Sequence, residues 1–136
     1  YGNLIHPQIL EALATSGHFS RILIADGNFP TATVANPAAK KVFLNLAPGM
    51  LSTTDILKVL VTVVPFQEAT VMLPPEPQPI HKEYLDLLPK DISFQQLKRE
   101  EFYEAIRSHQ TSLVIASGEK RRFANLLLTI GVVRFD

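Results

Sequence analysis

Residues 16–30 read Ser-Gly-His-Phe-Ser-Arg-Ile-Leu-Ile-Ala-Asp-Gly-Asn-Phe-Pro. Gly17 is the stop of a preceding helix, because glycine takes the backbone conformation that ends one. Arg21–Ala25 is a short apolar run, expected as a strand buried on both faces. Asp26 then enters a turn built from Gly27, Asn28 and Pro30. A helix followed by a buried strand is the repeating unit of an α/β sheet. The strand also carries polar, titratable groups at its two ends, His18 and Asp26. Placing such groups on a rigid element is a common way to build a small-molecule site.

The same alternation continues outward. His6-Pro7-Gln8 opens the first helix, with Pro7 suited to its first turn, and Leu10, Leu13 and Ala14 share one face. Residues 27–38, rich in Gly, Asn, Pro and Thr, read as a loop, and Lys41–Leu46 as a second strand. Ser52-Thr53-Thr54-Asp55 caps a helix whose Ile56, Val59, Leu60, Val63 and Val64 follow helical spacing. Ala69–Leu73 reads as a third strand. Pro74, Pro75, Pro77 and Pro79 make a rigid connection, too short for a domain linker. Ile80–Leu88 reads as a helix, Ile92–Leu97 as a strand, Glu100–Ser108 as a helix and Ser112–Ala116 as a strand. Phe123–Ile130 is apolar and, by pattern, either strand or helix. The expectation is an α/β sheet with helices packed on both faces, in a single domain over 1–136.

Bulk composition narrows the function classes. The chain has 136 residues, 46% of them hydrophobic, enough for one real core. Thirteen basic and thirteen acidic side chains cancel. A neutral chain has no field with which to gather nucleic acid or anionic lipid. There is no cysteine, which excludes disulfides, iron–sulfur clusters and thiol catalysis and is compatible with a reducing compartment. No apolar run approaches the roughly 20 residues of a membrane span, and no stretch reads as a signal peptide.

Each candidate residue has a structural reading beside its functional one. His18, after a helix-ending glycine, is either a surface histidine favoured by the helix dipole or a general acid/base, since histidine titrates near pH ~6.5. Asp26 either bonds its own turn or faces a ligand, and Asn28 and Asn125 carry the same two readings. Arg99 stands in Lys98-Arg99-Glu100-Glu101, by default a solvated charged stretch. His6, His81 and His109 show no metal-ligand spacing with one another or with His18. Gly118-Glu119-Lys120 lacks the earlier glycine of a phosphate loop, and no serine lies in a nucleophile elbow. The residues alone support an α/β domain with an acid/base site.

Taken together, the motifs resemble the family of D-ribose pyranase and L-fucose mutarotase. They are Gly-His at 17–18, Ala-Asp-x-x-Phe-Pro at 25–30, Arg-x-x-Phe-Tyr-Glu at 99–104, Gly-Glu at 118–119 and Ala-Asn at 124–125. The resemblance runs over nearly the whole chain. The Phe-Pro after Asp26 and the block beginning at Arg99 are closer to the fucose branch; the ribose branch tends to have histidine where Arg99 falls. About two extra residues stand between Arg99 and Gly118.

The resemblance implies a three-layer α/β/α sandwich and a cofactor-free isomerase that interconverts cyclic sugar forms in the cytoplasm. It implies His18 as the catalytic histidine, and Asp26, Arg99, Phe123, Ala124 and Asn125 as sugar-binding positions. It also implies a ring-shaped homo-decamer with sites near subunit contacts. Opening a hemiacetal needs one proton delivered to the ring oxygen and another removed from the anomeric hydroxyl, both general acid/base steps. Neither a metal nor a nucleotide is required. The family usually has tyrosine where this chain has Phe123, and a phenyl ring can pack on a sugar but cannot donate a proton. The expectation is therefore a monosaccharide mutarotase acting on fucose or a similar sugar. The alternatives are a sugar-binding module that has lost catalysis and a D-ribose pyranase.

Overall fold

Local chemistry sets the element boundaries. The His6 side chain accepts from the Ile9 N–H, and Pro7 occupies the first turn of α1 (Pro7–Thr15). Arg21 and the four buried apolar residues after it form β1 (Arg21–Ala25). At α3 (Thr53–Leu60), Ser52 and Asp55 each bond the other's backbone N–H, a complete capping box. The computed structural model describes residues 2–132. The remaining elements are α2 (Thr31–Val34), β2 (Lys40–Phe43), β3 (Phe66–Met72), α4 (Pro79–Leu87), β4 (Ser93–Leu97), α5 (Arg99–Arg107), β5 (Thr111–Ala116) and β6 (Leu126–Ile130).

The six strands form one sheet in the order β2-β5-β1-β6-β3-β4. β6 is antiparallel to both of its neighbours, β1 and β3, and every other pairing is parallel. Five strands therefore run one way and β6 runs against them. Alternating side chains feed two cores. Ile22, Ile24, Leu113, Ile115, Leu126 and Leu128 pack with α1, α3 and α4 on one face. Leu23, Ala25, Val114 and Leu127 pack with Phe29 and the α5 residues Phe102 and Ile106 on the other. Helices thus cover both faces, giving the three-layer α/β/α arrangement expected.

Three local expectations are corrected. The loop at 27–38 contains the single turn α2, started where Pro30 presets the backbone and the Val34 N–H bonds the Pro30 carbonyl at 3.0 Å. The second strand ends at Phe43 rather than Leu46. The chain then turns through Gly49, at φ +83°, and Ala47 bridges Met50. β3 begins at Phe66, three residues before the run at Ala69, because Gln67 and Glu68 lie at a half-buried strand entry. The segment that pattern left undecided is strand: all five residues of β6 are buried between two neighbours.

Candidate functional site

Because β6 is reversed, its first residues meet the ends of the other strands. Asp26 leaves the end of β1, Met72 ends β3, Arg99 opens α5 just after β4, and Phe123 and Asn125 lead into β6. All of these side chains, with Asn28, Tyr103 and Arg122, line one cavity of about 140 Å³. A crevice beyond the carboxyl ends of the strands is where open α/β sheets bind ligands. Four of the six sequence-predicted site residues, Asp26, Arg99, Phe123 and Asn125, are therefore brought together.

The polar groups are held in fixed roles. Asn125 is buried, and its side-chain oxygen accepts from the Asp26 N–H at 2.7 Å. That assignment leaves its amide NH₂ as a donor. Asp26 Oδ1 accepts from the Asn28 N–H at 3.0 Å, closing the turn. Burial pushes the Asp26 carboxyl above its ordinary value, against the hydrogen bonds from the Asn28 and Phe29 backbone, and the nearby Glu119 charge adds to the rise. The Arg122 guanidinium lies 5.7 Å over the Phe123 ring. The cavity thus presents an acid of raised pKa, an amide donor, two guanidinium forks and an aromatic surface. Among the described residues no three His, Asp or Glu side chains converge in a way that could hold a metal ion.

Ala124 and His18 lie elsewhere. The Ala124 side chain is fully buried in the core with α1, α3 and α4, and its carbonyl accepts from the Tyr84 hydroxyl. Its contribution is to hold the segment, outside the cavity wall. His18 stands at the opposite edge of the sheet, before β1 begins. β1 alone spans about 16 Å at roughly 3.3 Å per residue, so His18 and Asp26 of one chain cannot share a ligand. His18 is exposed, stacks on Phe19 at 3.8 Å between ring centroids, and its Nε2 lies 2.9 Å from Gln67 Oε1. It lines a separate, largely apolar cavity of about 590 Å³ with Leu10, Leu13, Val63, Val64 and Ile130. The strand that was expected to join the two groups in one site holds them apart.

The Gly-Glu motif at 118–119 supports the site from behind. A Cβ on Gly118 would lie 2.1 Å from the Met50 carbonyl oxygen, so no other residue fits. Glu119 is 5% exposed. Its Oε1 accepts from Thr53 N and Oγ1 and from Arg121 Nη2, and its Oε2 from Lys120 N, Arg121 N and Arg121 Nε. Burial works to raise its pKa, but the Arg121 and Thr53 hydrogen bonds outweigh it and hold the carboxyl down at about 2. Arg121 also reaches Glu83 on α4 at 2.5 Å. From the same helix His81 Nε2 donates to the Phe123 carbonyl at 2.8 Å, and the Tyr84 hydroxyl is shared between Ala124 O and Thr53 Oγ1. These contacts hold Phe123 at φ +58°, a left-handed conformation uncommon outside glycine. Sequence reading missed Tyr103, Arg122 and Met72 in the cavity wall. Only Tyr103 had a local signal: it follows Arg99 by four residues and so shares its helix face.

The chain belongs to the RbsD / FucU transport protein family, whose model matches residues 1–133. It is 30% identical to the fucose mutarotase of Homo sapiens over 144 residues, covering 98% of this chain and 92% of that one. Among solved structures it resembles Bacillus subtilis RbsD complexed with D-ribose, with a TM-score of 0.86, 25% identity and 98% of each chain covered. It also resembles FucU from Bifidobacterium longum, with a TM-score of 0.81, 33% identity and 96% of each chain covered.

Proposed function

We propose that this protein is a monosaccharide mutarotase, an isomerase that interconverts the anomers of fucose or a closely similar sugar by general acid/base catalysis in a single domain over 1–136. The observation that carries the reading is the convergence of Asp26, Arg99, Phe123 and Asn125 on one small cavity at the strand ends, in a chain with curated relatives named fucose mutarotase. Neutral sugars are recognised through many hydroxyl contacts, and the cavity supplies acceptors at Asp26 and donors at Asn125, Arg99 and Arg122 around an apolar ring. Ring opening moves one proton onto the ring oxygen and one off the anomeric hydroxyl, and closure on the other face of the carbonyl gives the other anomer. Asp26, with its raised pKa, is suited to hold and return a proton, and His18 is the second acid/base group.

His18 reaches such a site only from another copy of the chain. It lies at the opposite edge of the sheet from Asp26, beside an apolar cavity, and a ring of copies would set the His18 edge of one against the Asp26 edge of the next. A homo-decamer is the proposed assembly and the cytoplasm the proposed location; no described helix is long and apolar enough to cross a membrane. Saturation-transfer NMR on a sugar panel tests the reading. The expected result is anomer exchange of L-fucose well above the spontaneous rate in the wild type, lowered roughly 10²–10⁴-fold in His18→Ala. Sugar binding with exchange at the spontaneous rate would instead support the non-catalytic module. Fast exchange between pyranose and furanose ribose would move the reading toward a pyranase.

A further inference from the structure

We infer that a second subsite adjoins the sugar cavity and holds a further sugar ring, so that the substrates include reducing disaccharides. The inference rests on the mutarotase reading above. A polar cavity of about 440 Å³ lies beside the sugar cavity of about 140 Å³, and Asn28 lines both. Ser117, Gly118 and Glu119, just past the end of β5, line it too. Two turns flank these three residues, and each is tied to them. On one side Ala47-Pro48-Gly49-Met50 has proline at its second position and Gly49 at φ +83°, the arrangement of a type II turn. The Met50 N–H donates to the Ala47 carbonyl at 2.8 Å, and the Gly49 N–H to the Gly118 carbonyl at 2.6 Å. The Gly118 N–H in turn donates to the Leu51 carbonyl at 2.8 Å. On the other side the Gly27 N–H, in the turn that carries Asp26 and Asn28, donates to the Glu119 carbonyl at 2.9 Å. The cleft is therefore preformed, which lowers the ordering cost of binding.

The groups left free in this cleft are those that bind hydroxyls. The Glu119 carboxylate is taken up by Thr53, Arg121 and the Lys120 N–H, and the Ser117 hydroxyl by the Ala25 carbonyl. Among the described residues the side chains of Asn28, Asn45 and Lys120 bond no other group; Asn28 and Lys120 donate through their backbone N–H alone. The ion pairs nearby belong to Arg121. Two amides and one ammonium supply both donors and acceptors, as a ring of hydroxyls requires. Ala47 and Pro48 add an apolar surface for the C–H face of a sugar. Size decides between occupants. The smaller cavity suits one ring, whereas the larger one falls in the range of complete small-molecule sites. A lone anion on Lys120 would leave most of it empty. A disaccharide with its reducing ring beside Asp26 carries its second ring past Asn28 into the cleft. That ring takes no part in the proton transfers. It adds binding energy remote from the reacting carbon.

The experiment compares L-fucose with disaccharides that carry L-fucose at the reducing end, joined through O2, O3 or O4. Anomer exchange and affinity are read by NMR for wild type, Lys120→Ala and Ala47→Trp. The first variant removes the free ammonium, and the second fills the cleft from an exposed turn position. The expected result is that at least one linkage gives a KM roughly tenfold below that of L-fucose with a similar kcat. Each variant should raise that KM roughly tenfold and leave L-fucose exchange and the thermal midpoint unchanged. Wild type that exchanges L-fucose but no disaccharide more efficiently would overturn the subsite and leave the mutarotase reading standing. So would a disaccharide preference that neither variant alters. L-fucose 1-phosphate, which cannot exchange anomers, serves as a binding control. Lys120-dependent affinity for it, without a gain for any disaccharide, would also overturn the assignment of a sugar ring. If the wild type binds sugars without exchange, the mutarotase reading fails and the affinities of the three proteins for the disaccharides decide the subsite. A wild type that binds none of these sugars overturns both.

Discussion

Glu119 offers the sharpest energetic test of how the site is held. Glu119→Gln replaces one acceptor oxygen by an NH₂ group. If that group replaces Oε2, it faces the Lys120 N–H, the Arg121 N–H and Arg121 Nε, all donors; if it replaces Oε1, it faces Thr53 N and Arg121 Nη2. Either orientation leaves buried donors unpaired. The carboxyl falls from an ordinary 4.5 to about 2 in the folded protein. At about 1.36 kcal/mol per pH unit this corresponds to roughly 3 kcal/mol. The Arg121 side chain is 41% exposed, so solvent screening brings the contribution nearer about 2 kcal/mol. The sign follows from the depressed pKa. The stabilisation is fully present above pH 4.5 and is lost as pH falls through about 2. Urea unfolding followed by far-ultraviolet circular dichroism, at one fixed protein concentration, compares the two chains from pH 7 to pH 2. The gap between wild type and Glu119→Gln should hold steady at about 2 kcal/mol near neutrality and narrow below pH 4.5. A gap under about 0.5 kcal/mol at pH 7, or one that does not change with pH, would refute the assignment of Glu119 as a charged brace.

Three further outcomes are expected. Gly118→Ala should lose roughly 3 kcal/mol or more, because its Cβ meets two carbonyl oxygens within 2.5 Å; a thermal scan of the variant checks this. Tyr84→Phe leaves the Ala124 carbonyl without its donor and should cost about 1–2 kcal/mol while raising KM for sugar, because the segment 123–125 loosens; melting and exchange kinetics read the two effects separately. Asp26 has a folded pKa above its ordinary value, so its ionisation opposes folding as pH rises past 3.8. Asp26→Asn should therefore be at least as stable as wild type at pH 7 while losing sugar affinity, which denaturant midpoints and NMR titration report together.

Much of the fold was readable because it is written in local chemistry. β1 is a bounded apolar run, and α3 carries both its cap and its stripe. The place of β6 was not readable. Leu126–Ile130 is apolar throughout, so its pattern distinguishes neither strand from helix nor one sheet direction from the other. Its reversal nevertheless brings Phe123 and Asn125 to the Asp26 edge. Asp26 and Asn125 are 99 positions apart, and only the ordered set of motifs pointed to both. The separation of His18 from Asp26 was legible in principle, since an extended strand of five residues lies between them. Arg122 had no local signal, because its approach to the cavity depends on the turn that α4 holds at Phe123, and Met72 had none, because only the pairing of β3 in the sheet brings its end to the cavity.

The central claim is that catalysis joins the His18 edge of one copy to the Asp26 cavity of another. Mixed assemblies of His18→Ala and Asp26→Asn chains, co-expressed in equal amounts and assayed for L-fucose anomer exchange, test it directly. Each variant alone should exchange the sugar at close to the spontaneous rate. The mixture should recover about a quarter of wild-type activity, because a site then needs an intact His18 from one copy and an intact Asp26 from its neighbour, each present in half of the chains. A mixture that co-assembles yet is no more active than either variant alone would contradict the shared site.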